Sequence, residues 1–360
     1  MISIYVHIPF CESKCVYCAF ASFVAGEKER EKYFDALKKE IASCNFDDRD
    51  VQSIYFGGGT PSCVSAEQIA GVMQEIRKHF RVLENAEITI ECNPCSASEK
   101  KLETYKKIGF NRISFGVQSL DDGVLKFLGR RHDKAGALGS LKRATAAGFE
   151  NISADLLLGL PAGDVKKDAA RLIKNGVKHI SAYMLQIEDN TPLKNMLERG
   201  DVKLPSDDET ADNYQKLALF LQKKGFKRYE ISNFAFTGYE SRHNSAYWTG
   251  QKYLGFGLGA HSFDGKNRRW ANASNFEDYY ADRVQIETLS KKDRDEEIIM
   301  LGLRCEAGFN TKELSFDITK NKNFNELLQQ NIIIKNGDIV TLNPNFYEVS
   351  NSVILKLLED

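Results

Sequence analysis

Residues 2–18 read Ile2-Ser3-Ile4-Tyr5-Val6-His7-Ile8-Pro9-Phe10-Cys11-Glu12-Ser13-Lys14-Cys15-Val16-Tyr17-Cys18. The first seven are rich in β-branched and aromatic residues, the composition of a short strand. Three cysteines follow at once in the spacing C-x3-C-x2-C. A strand that runs straight into a loop of potential metal ligands is how an α/β domain presents a site at the carboxyl ends of its strands.

Working outward, six more short apolar runs suggest strands: Val51–Phe56, Glu87–Cys92, Arg112–Val117, Ile152–Leu158, His179–Gln186 and Lys227–Ser232. Segments of helical period separate them. Ile69, Val72, Met73, Ile76 and Phe80 make one apolar stripe, and Ser65 with Gln68 forms a capping box at its start. Ser96 and Glu99 suggest the start of another helix. A short echo (IGFNRISFG, AGFENISAD, NGVKHISAY, KGFKRYEIS) puts Gly109, Gly148, Gly176 and Gly225 where a helix ends and a strand begins. These are repeated β/α units, forming a partial (β/α)6-type barrel over residues 1–235, with a doubly wound open sheet as the competing arrangement. Residues 236–285 read as a linker or lid. Beyond them, helical patterns at Glu296–Leu303 and Phe324–Gln330 precede two short strands, Ile332–Lys335 and Ile339–Leu342, flanking Asn336-Gly337. Residues 286–360 are therefore expected to form a small α+β, winged-helix-like domain.

Composition narrows the function classes. The chain is 42% hydrophobic and 28% charged with a formal net charge of −1, and no Lys/Arg-dense run gives it a nucleic-acid footprint. No apolar stretch reaches the roughly 18–20 residues of a spanning helix, which leaves only peripheral membrane contact open. The N-terminus lacks the features of a signal peptide, so the expected compartment is the cytoplasm, where clustered thiols indicate metal binding rather than disulfides. Nothing in the pattern indicates an oligomeric state.

Three thiolates on one loop can hold three irons of a cubane cluster and leave the fourth iron for a chelating ligand. A structural zinc site needs a fourth ligand, and no paired spacing supplies it. The motif C-x3-C-x2-C, with an aromatic before its last cysteine, resembles the signature of the radical S-adenosylmethionine (SAM) superfamily. That resemblance implies a [4Fe-4S] cluster on Cys11, Cys15 and Cys18. It also implies SAM chelated to the open iron and cleaved to an adenosyl radical by one electron.

The segments Y-V-H-I-P-F-C, G-G-G-T-P, I-E-C-N-P, G-V-Q-S, G-R-R-H and D-L-L-L-G-L-P resemble, in order, the oxygen-independent coproporphyrinogen III oxidase family, covering roughly residues 1–190. Taken alone, each polar residue ending a strand is as well explained by capping or solvation. The resemblance implies that Glu91, Gln118, Arg130 and Asp155 contact SAM, joined by Gly58, Gly59 and Thr60 of the glycine-rich turn. Tyr5 either packs on SAM or on the cluster, or is buried with His7 in an edge strand. The pair Cys92-x2-Cys95 has no supporting partner cysteines.

Three features point to the haem-binding branch of that family and away from its oxidases. Position 20 is Phe where the oxidases have a further cysteine, only ten residues precede Cys11, and His243-Asn244-Ser245-Ala246-Tyr247-Trp248 reads H-N-x-x-Y-W. His and Tyr are haem-iron ligands and aromatic rings stack on porphyrins. His243, Tyr247 and Trp248 are thus candidate haem contacts on a loop over the barrel mouth, although such a segment also suits a packed lid. His261 is a further candidate ligand. The resemblance implies a haem chaperone that hands haem to an acceptor, a respiratory haem protein among the candidates. The alternatives are coproporphyrinogen III oxidation by adenosyl-radical chemistry and a radical SAM reaction on an unrelated substrate.

Overall fold

In the computed structural model, which describes residues 1–359, six strands pair in chain order and in parallel. They are β1 (Ile2–Ile8), β2 (Asp50–Gly58), β3 (Arg81–Cys92), β4 (Arg112–Gln118), β5 (Asn151–Leu158) and β6 (His179–Met184). The crossovers carry helices Glu27–Ser43, Ala66–His79, Glu99–Ile108, Lys134–Ala146 and Val165–Lys174. Beyond β6 lies an antiparallel edge of β7 (Lys227–Arg228) and β8 (Asn233–Ala235). On the other side of β1 come β9 (Tyr253–Phe256), parallel to it, then β10 (His261–Phe263), β11 (Arg268–Asn272) and β12 (Val284–Thr288), all antiparallel. The sheet has twelve strands whose ends, β12 and β7, do not pair, so the barrel is partial.

The strands are not uniformly apolar; they alternate. On β1, Ile2, Ile4, Val6 and Ile8 are completely buried, while Ser3, Tyr5 and His7 point to the other face. The same period puts Ser53 and Tyr55, Glu87, Thr89 and Glu91, Arg112 and Ser114, Ser153 and Asp155, and His179, Ser181 and Tyr183 together. The apolar face packs against the helices, each buried Ile, Val or Phe side chain contributing roughly 1.5–3 kcal/mol. The polar face lines the concave side. A barrel filled with branched side chains has no room for ligands; this one keeps a polar interior.

Local signals explain most boundaries. Ser65 and Gln68 form the reciprocal cap of Ala66–His79. Gly109, Gly148, Gly176 and Gly225 all have φ between +87° and +108°, the left-handed end of a helix that costs other residues strain. One cap differs from expectation. Ser98, not Ser96, caps Glu99–Ile108, because Ser96 is drawn to Ser62 at 2.6 Å.

Two larger differences concern topology. Of the strand expected at 227–232 only Lys227–Arg228 forms, as β7, and β8 follows beyond it at Asn233–Ala235; between them Glu230 turns inward and accepts the N–H of Ser232 at 3.2 Å. Residues 236–285, expected as a linker or lid, instead add β9–β11 and the start of β12 to the sheet, and Leu254, Phe256, Leu258 and Tyr279 join its core. The C-terminal residues form a separate small unit. Its antiparallel sheet runs β13 (Phe309–Asn310), β15 (Ile339–Leu342), β14 (Ile333–Asn336), packed with helices Lys291–Gly302, Lys322–Gln329 and Ser350–Leu358. The hairpin turn is Gly337-Asp338, one residue later than expected, with Gly337 at φ +61°.

Candidate functional site

The cysteine loop is pinned at both ends. Cys11 N–H donates to Phe23 at 2.9 Å, and Phe23 N–H donates to Pro9 at 2.7 Å, so residues 11–22 close into a loop at the carboxyl end of β1. The glycine run after β2 supports it from below. Gly59 and Thr60 N–H groups donate to Ile8 and Phe10 carbonyls at 2.9 and 2.8 Å. A Cβ on Gly59 would lie 2.7 Å from the Phe10 carbonyl, and one on Gly58 would strike the His7 ring at 2.5 Å. These glycines therefore admit the cysteine loop as well as facing the cavity.

Cys11, Cys15 and Cys18 all open into one cavity of about 450 Å3, shared with Gly58, Gly59, Thr60, Glu91, Gln118, Arg130 and Asp155. All three thiols are free and half-buried. Burial raises the pKa of Cys18, and Cys15 and Cys11 push it further up, as like-charged thiolates do. Arg130 donates to the Cys15 sulfur at 3.5 Å, while its Nε has no protein partner. Among the described residues no three His, Cys, Asp or Glu side chains converge on the point a single ion would occupy. A cubane takes each thiolate on a different iron, and a donor set of three thiols beside a guanidinium fits such a group.

The acidic residues of the wall have unusual proton affinities. Glu91 accepts the Tyr55 hydroxyl at 2.7 Å. Its carboxyl is pushed up to about 7 by burial, with Asp155 adding to the rise against the opposing Tyr55 bond. Burial also raises Asp155, against hydrogen bonds from Ser181 and Ser114. Gln118 sits at φ +67°, a conformation a non-glycine residue adopts at a cost of about 1–3 kcal/mol and one found at ligand sites.

Tyr5 does not line the cavity. Its hydroxyl meets His7 Nδ1 at 3.1 Å, and His7 Nε2 meets the Ala21 carbonyl at 3.0 Å, so it supports the loop from beneath. The H-N-x-x-Y-W segment is also elsewhere than the mouth. It forms helix Arg242–Trp248, which plugs the amino-terminal end of the barrel. His243 is 1% exposed. Its Nδ1 meets Ser53 Oγ and its Nε2 the Tyr247 hydroxyl, both at 3.0 Å. Burial, and secondarily Arg112, drives its pKa down to about 3, so the ring is neutral with both nitrogens engaged. The reason is a long-range contact: Glu87, buried on β3, gathers the first N–H groups of this helix and holds it against the sheet. Trp248 and Tyr247 are part-exposed on the plug, and His261 on β10 is exposed.

Sequence reading overlooked Arg112, Ser114, Ser181, Tyr183 and Asn244, which all line the cavity. The signal for Arg112 and Ser114 was present, since in R-I-S-F-G-V-Q they share the period-two face of Gln118. Asn244 carried no such signal, because its helix reaches the cavity only through the plug.

Residues 5–186 match the family model of the radical SAM superfamily. The chain is 34% identical to the heme chaperone HemW of Lactococcus lactis, over 99% of this chain and 97% of that protein. It is 35% identical to the heme chaperone HemW of Bacillus subtilis, over 88% of this chain and 86% of that protein. Identity is 32% to the mitochondrial radical S-adenosyl methionine domain-containing protein 1 of Mus musculus, over 99% and 87% of the two chains. Among solved structures, the coproporphyrinogen III oxidase HemN of Escherichia coli superposes with a TM-score of 0.83 at 22% identity, covering 99% of this chain and 89% of that one, which shows a shared fold. The chain belongs to the radical SAM superfamily and, within it, to the family of the HemW heme chaperones.

Proposed function

We propose that this protein binds haem and passes it to an acceptor protein, and that it carries a [4Fe-4S] cluster and SAM in the barrel cavity. The observation that carries the haem reading is the similarity, along almost the entire chain, to proteins named heme chaperone HemW. The cluster and SAM rest on the three loop thiols and the polar strand ends opening into one cavity.

Cys11, Cys15 and Cys18 would hold the cluster. Gly58, Gly59, Thr60, Glu91, Gln118, Arg130 and Asp155 would hold SAM, with the ammonium and sulfonium charges favouring ionised Glu91 and Asp155. When bound, the pair supplies one-electron reduction of SAM. The protein's own part is to exclude bulk water, to keep Arg130 beside the thiolates and to tune the carboxyls. Haem needs an accessible ligand. His261 is open to solvent, whereas His243 is reachable only if the plug helix leaves Ser53 and the Tyr247 hydroxyl of the same helix swings off its Nε2. The acceptor is a haem protein, a respiratory one being the first to test, and the protein works in the cytoplasm.

Anaerobically reconstituted protein titrated with haem should show a Soret band. His261→Ala should weaken it, and His243→Ala should act through loss of folding stability. Coproporphyrinogen III offered with SAM and a reductant should remain unconverted. Conversion to protoporphyrinogen IX would replace the chaperone reading with the oxidase one.

A further inference from the structure

Two phenols inside the barrel each face a base. Tyr55, on β2, lines the cavity and donates its hydroxyl to Glu91 Oε1 at 2.7 Å. Tyr247, on the plug helix, meets His243 Nε2 at 3.0 Å. The direction of that second bond follows from its neighbours. Ser53 gives its one hydroxyl hydrogen to Ser3 Oγ at 2.8 Å, so His243 Nδ1 donates to Ser53. A neutral imidazole then has only a lone pair at Nε2, and Tyr247 donates to it.

The rings also form a file. His243 stacks on Tyr55 with centroids 5.1 Å apart and 27° between the planes. Tyr247 stands edge-on to His243 at 5.0 Å. Tyr253, half-buried on β9, stands edge-on to Tyr247 at 4.6 Å. The file runs from the cavity wall through the barrel interior to the part-exposed tyrosines of the closed end. Phenylalanine would fill the same volume at either position. What the hydroxyls add is a place for a proton to go at each ring. A phenol that faces a base gives up its electron and its proton together. One without a base would leave a cation withdrawn from water, which desolvation makes costly.

We propose that Tyr55 and Tyr247 are a redox-active pair that quenches a carbon-centred radical in the cavity with an electron drawn from the closed end of the barrel. The radical takes the hydrogen atom of the Tyr55 hydroxyl: the O–H bond breaks, a C–H bond forms, and a phenoxyl remains on Tyr55. An electron passes from Tyr247 across His243 to that phenoxyl. The Tyr247 proton moves to His243 Nε2, and Tyr55 takes a proton from the cavity through Glu91. A soluble thiol at the closed end then reduces the Tyr247 phenoxyl and leaves as a thiyl radical and a proton. His243, which burial keeps neutral at rest, returns the proton it holds to Tyr247. A phenolic O–H bond is weaker than the C–H bonds around the cavity, so the pair spares the sheet and the cysteine loop when no substrate is in place. The origin of the radical in SAM rests on the cofactor reading above; the electron path does not.

Two measurements on the full chain separate these. In the first, cluster-free protein carries a ruthenium photo-oxidant on Cys18, with Cys11→Ser, Cys15→Ser, Cys44→Ser and Cys95→Ser removing the other accessible thiols. A flash should give a long-lived tyrosyl EPR signal, lost in Tyr55→Phe and in Tyr247→Phe and kept in Tyr214→Phe, which lies off the file. Should the Phe variants at 55 and 247 fail to fold, fluorotyrosine at position 247, which keeps the hydrogen bond, should split the signal through its fluorine. In the second, anaerobically reconstituted protein receives SAM and a low-potential reductant and is frozen within one turnover, and the same signal should appear. A flash signal without a SAM signal sustains the path and removes SAM as the source of the radical. A flash signal that survives Tyr247→Phe unchanged, or that shows no fluorine splitting, overturns the path.

Discussion

The side-chain carboxylate of Glu87 on β3 accepts the backbone N–H of His243 at 3.1 Å. The same carboxylate takes the N–H of Arg242 at 3.1 Å and the hydroxyl of Ser241 at 3.4 Å. A single buried acid thus satisfies the first donors of the helix that carries H-N-x-x-Y-W and fixes that helix in the closed end of the barrel.

Glu87→Gln keeps the shape but weakens these charge-assisted bonds. The expected loss is about 1–3 kcal/mol in the free energy of unfolding, read by denaturant titration. Glu84→Gln, exposed on the same strand, should stay within about 0.5 kcal/mol of wild type. Equal effects from the two substitutions would deny Glu87 its anchoring role.

The raised carboxyl of Glu91 makes stability depend on pH. Its pKa in the fold is about 7, above the ordinary 4.5, so between these values the native state holds a proton that the unfolded chain has lost. Stability of the cluster-free protein should therefore fall as pH rises from about 4.5 to about 7 and then level off. The contribution is on the order of 1–3 kcal/mol, since Glu91 borders a cavity and is not sealed in the core. Glu91→Gln should flatten that slope in thermal melts taken across the window. In wild type, SAM affinity should rise with pH through about 7, as ionised Glu91 meets a cationic ligand.

Replacing Cys11, Cys15 or Cys18 with Ser should each abolish the cluster, seen as lost iron and sulfide and a lost EPR signal after reduction. Cys92→Ser and Cys95→Ser should retain it. Cys92 is buried with its thiol pushed up to about 12, and Cys95 donates to Asn93 at 3.3 Å, away from the loop sulfurs. A cluster lost with Cys95 and kept without Cys15 would reassign the ligands.

Gly58→Ala places a methyl group 2.5 Å from the His7 ring at a residue with φ +107°. Both strain and collision act at the support of the cysteine loop, and the expected cost is about 2–4 kcal/mol in unfolding free energy. Gly71→Ala, with open space around its Cβ on an ordinary helix, should be neutral or stabilising by up to about 1 kcal/mol.

Much of this protein is written in short-range signals. The cysteine spacing, the capping pair of Ser65 and Gln68, the left-handed glycines at 109, 148, 176 and 225, and the β/α alternation all act within a few residues, where backbone sterics and hydrogen bonding decide the outcome. The position of strand-end residues follows as well, because parallel strands in sequence order bring Glu91, Gln118 and Asp155 to one end. What only the tertiary structure decided depends on contacts distant along the chain. Residues 253–288 extended the sheet because β1 had an open edge to pair with. The H-N-x-x-Y-W helix went to the floor and not the mouth because Glu87, more than 150 residues earlier, holds its N–H groups. Arg112 ended fully buried on the inner face of β4, with Glu87 of β3 and Asp155 of β5 holding its proton against that burial. Local sequence sets which backbone conformations are cheap; which buried polar groups find partners is settled only when the whole chain has closed around them.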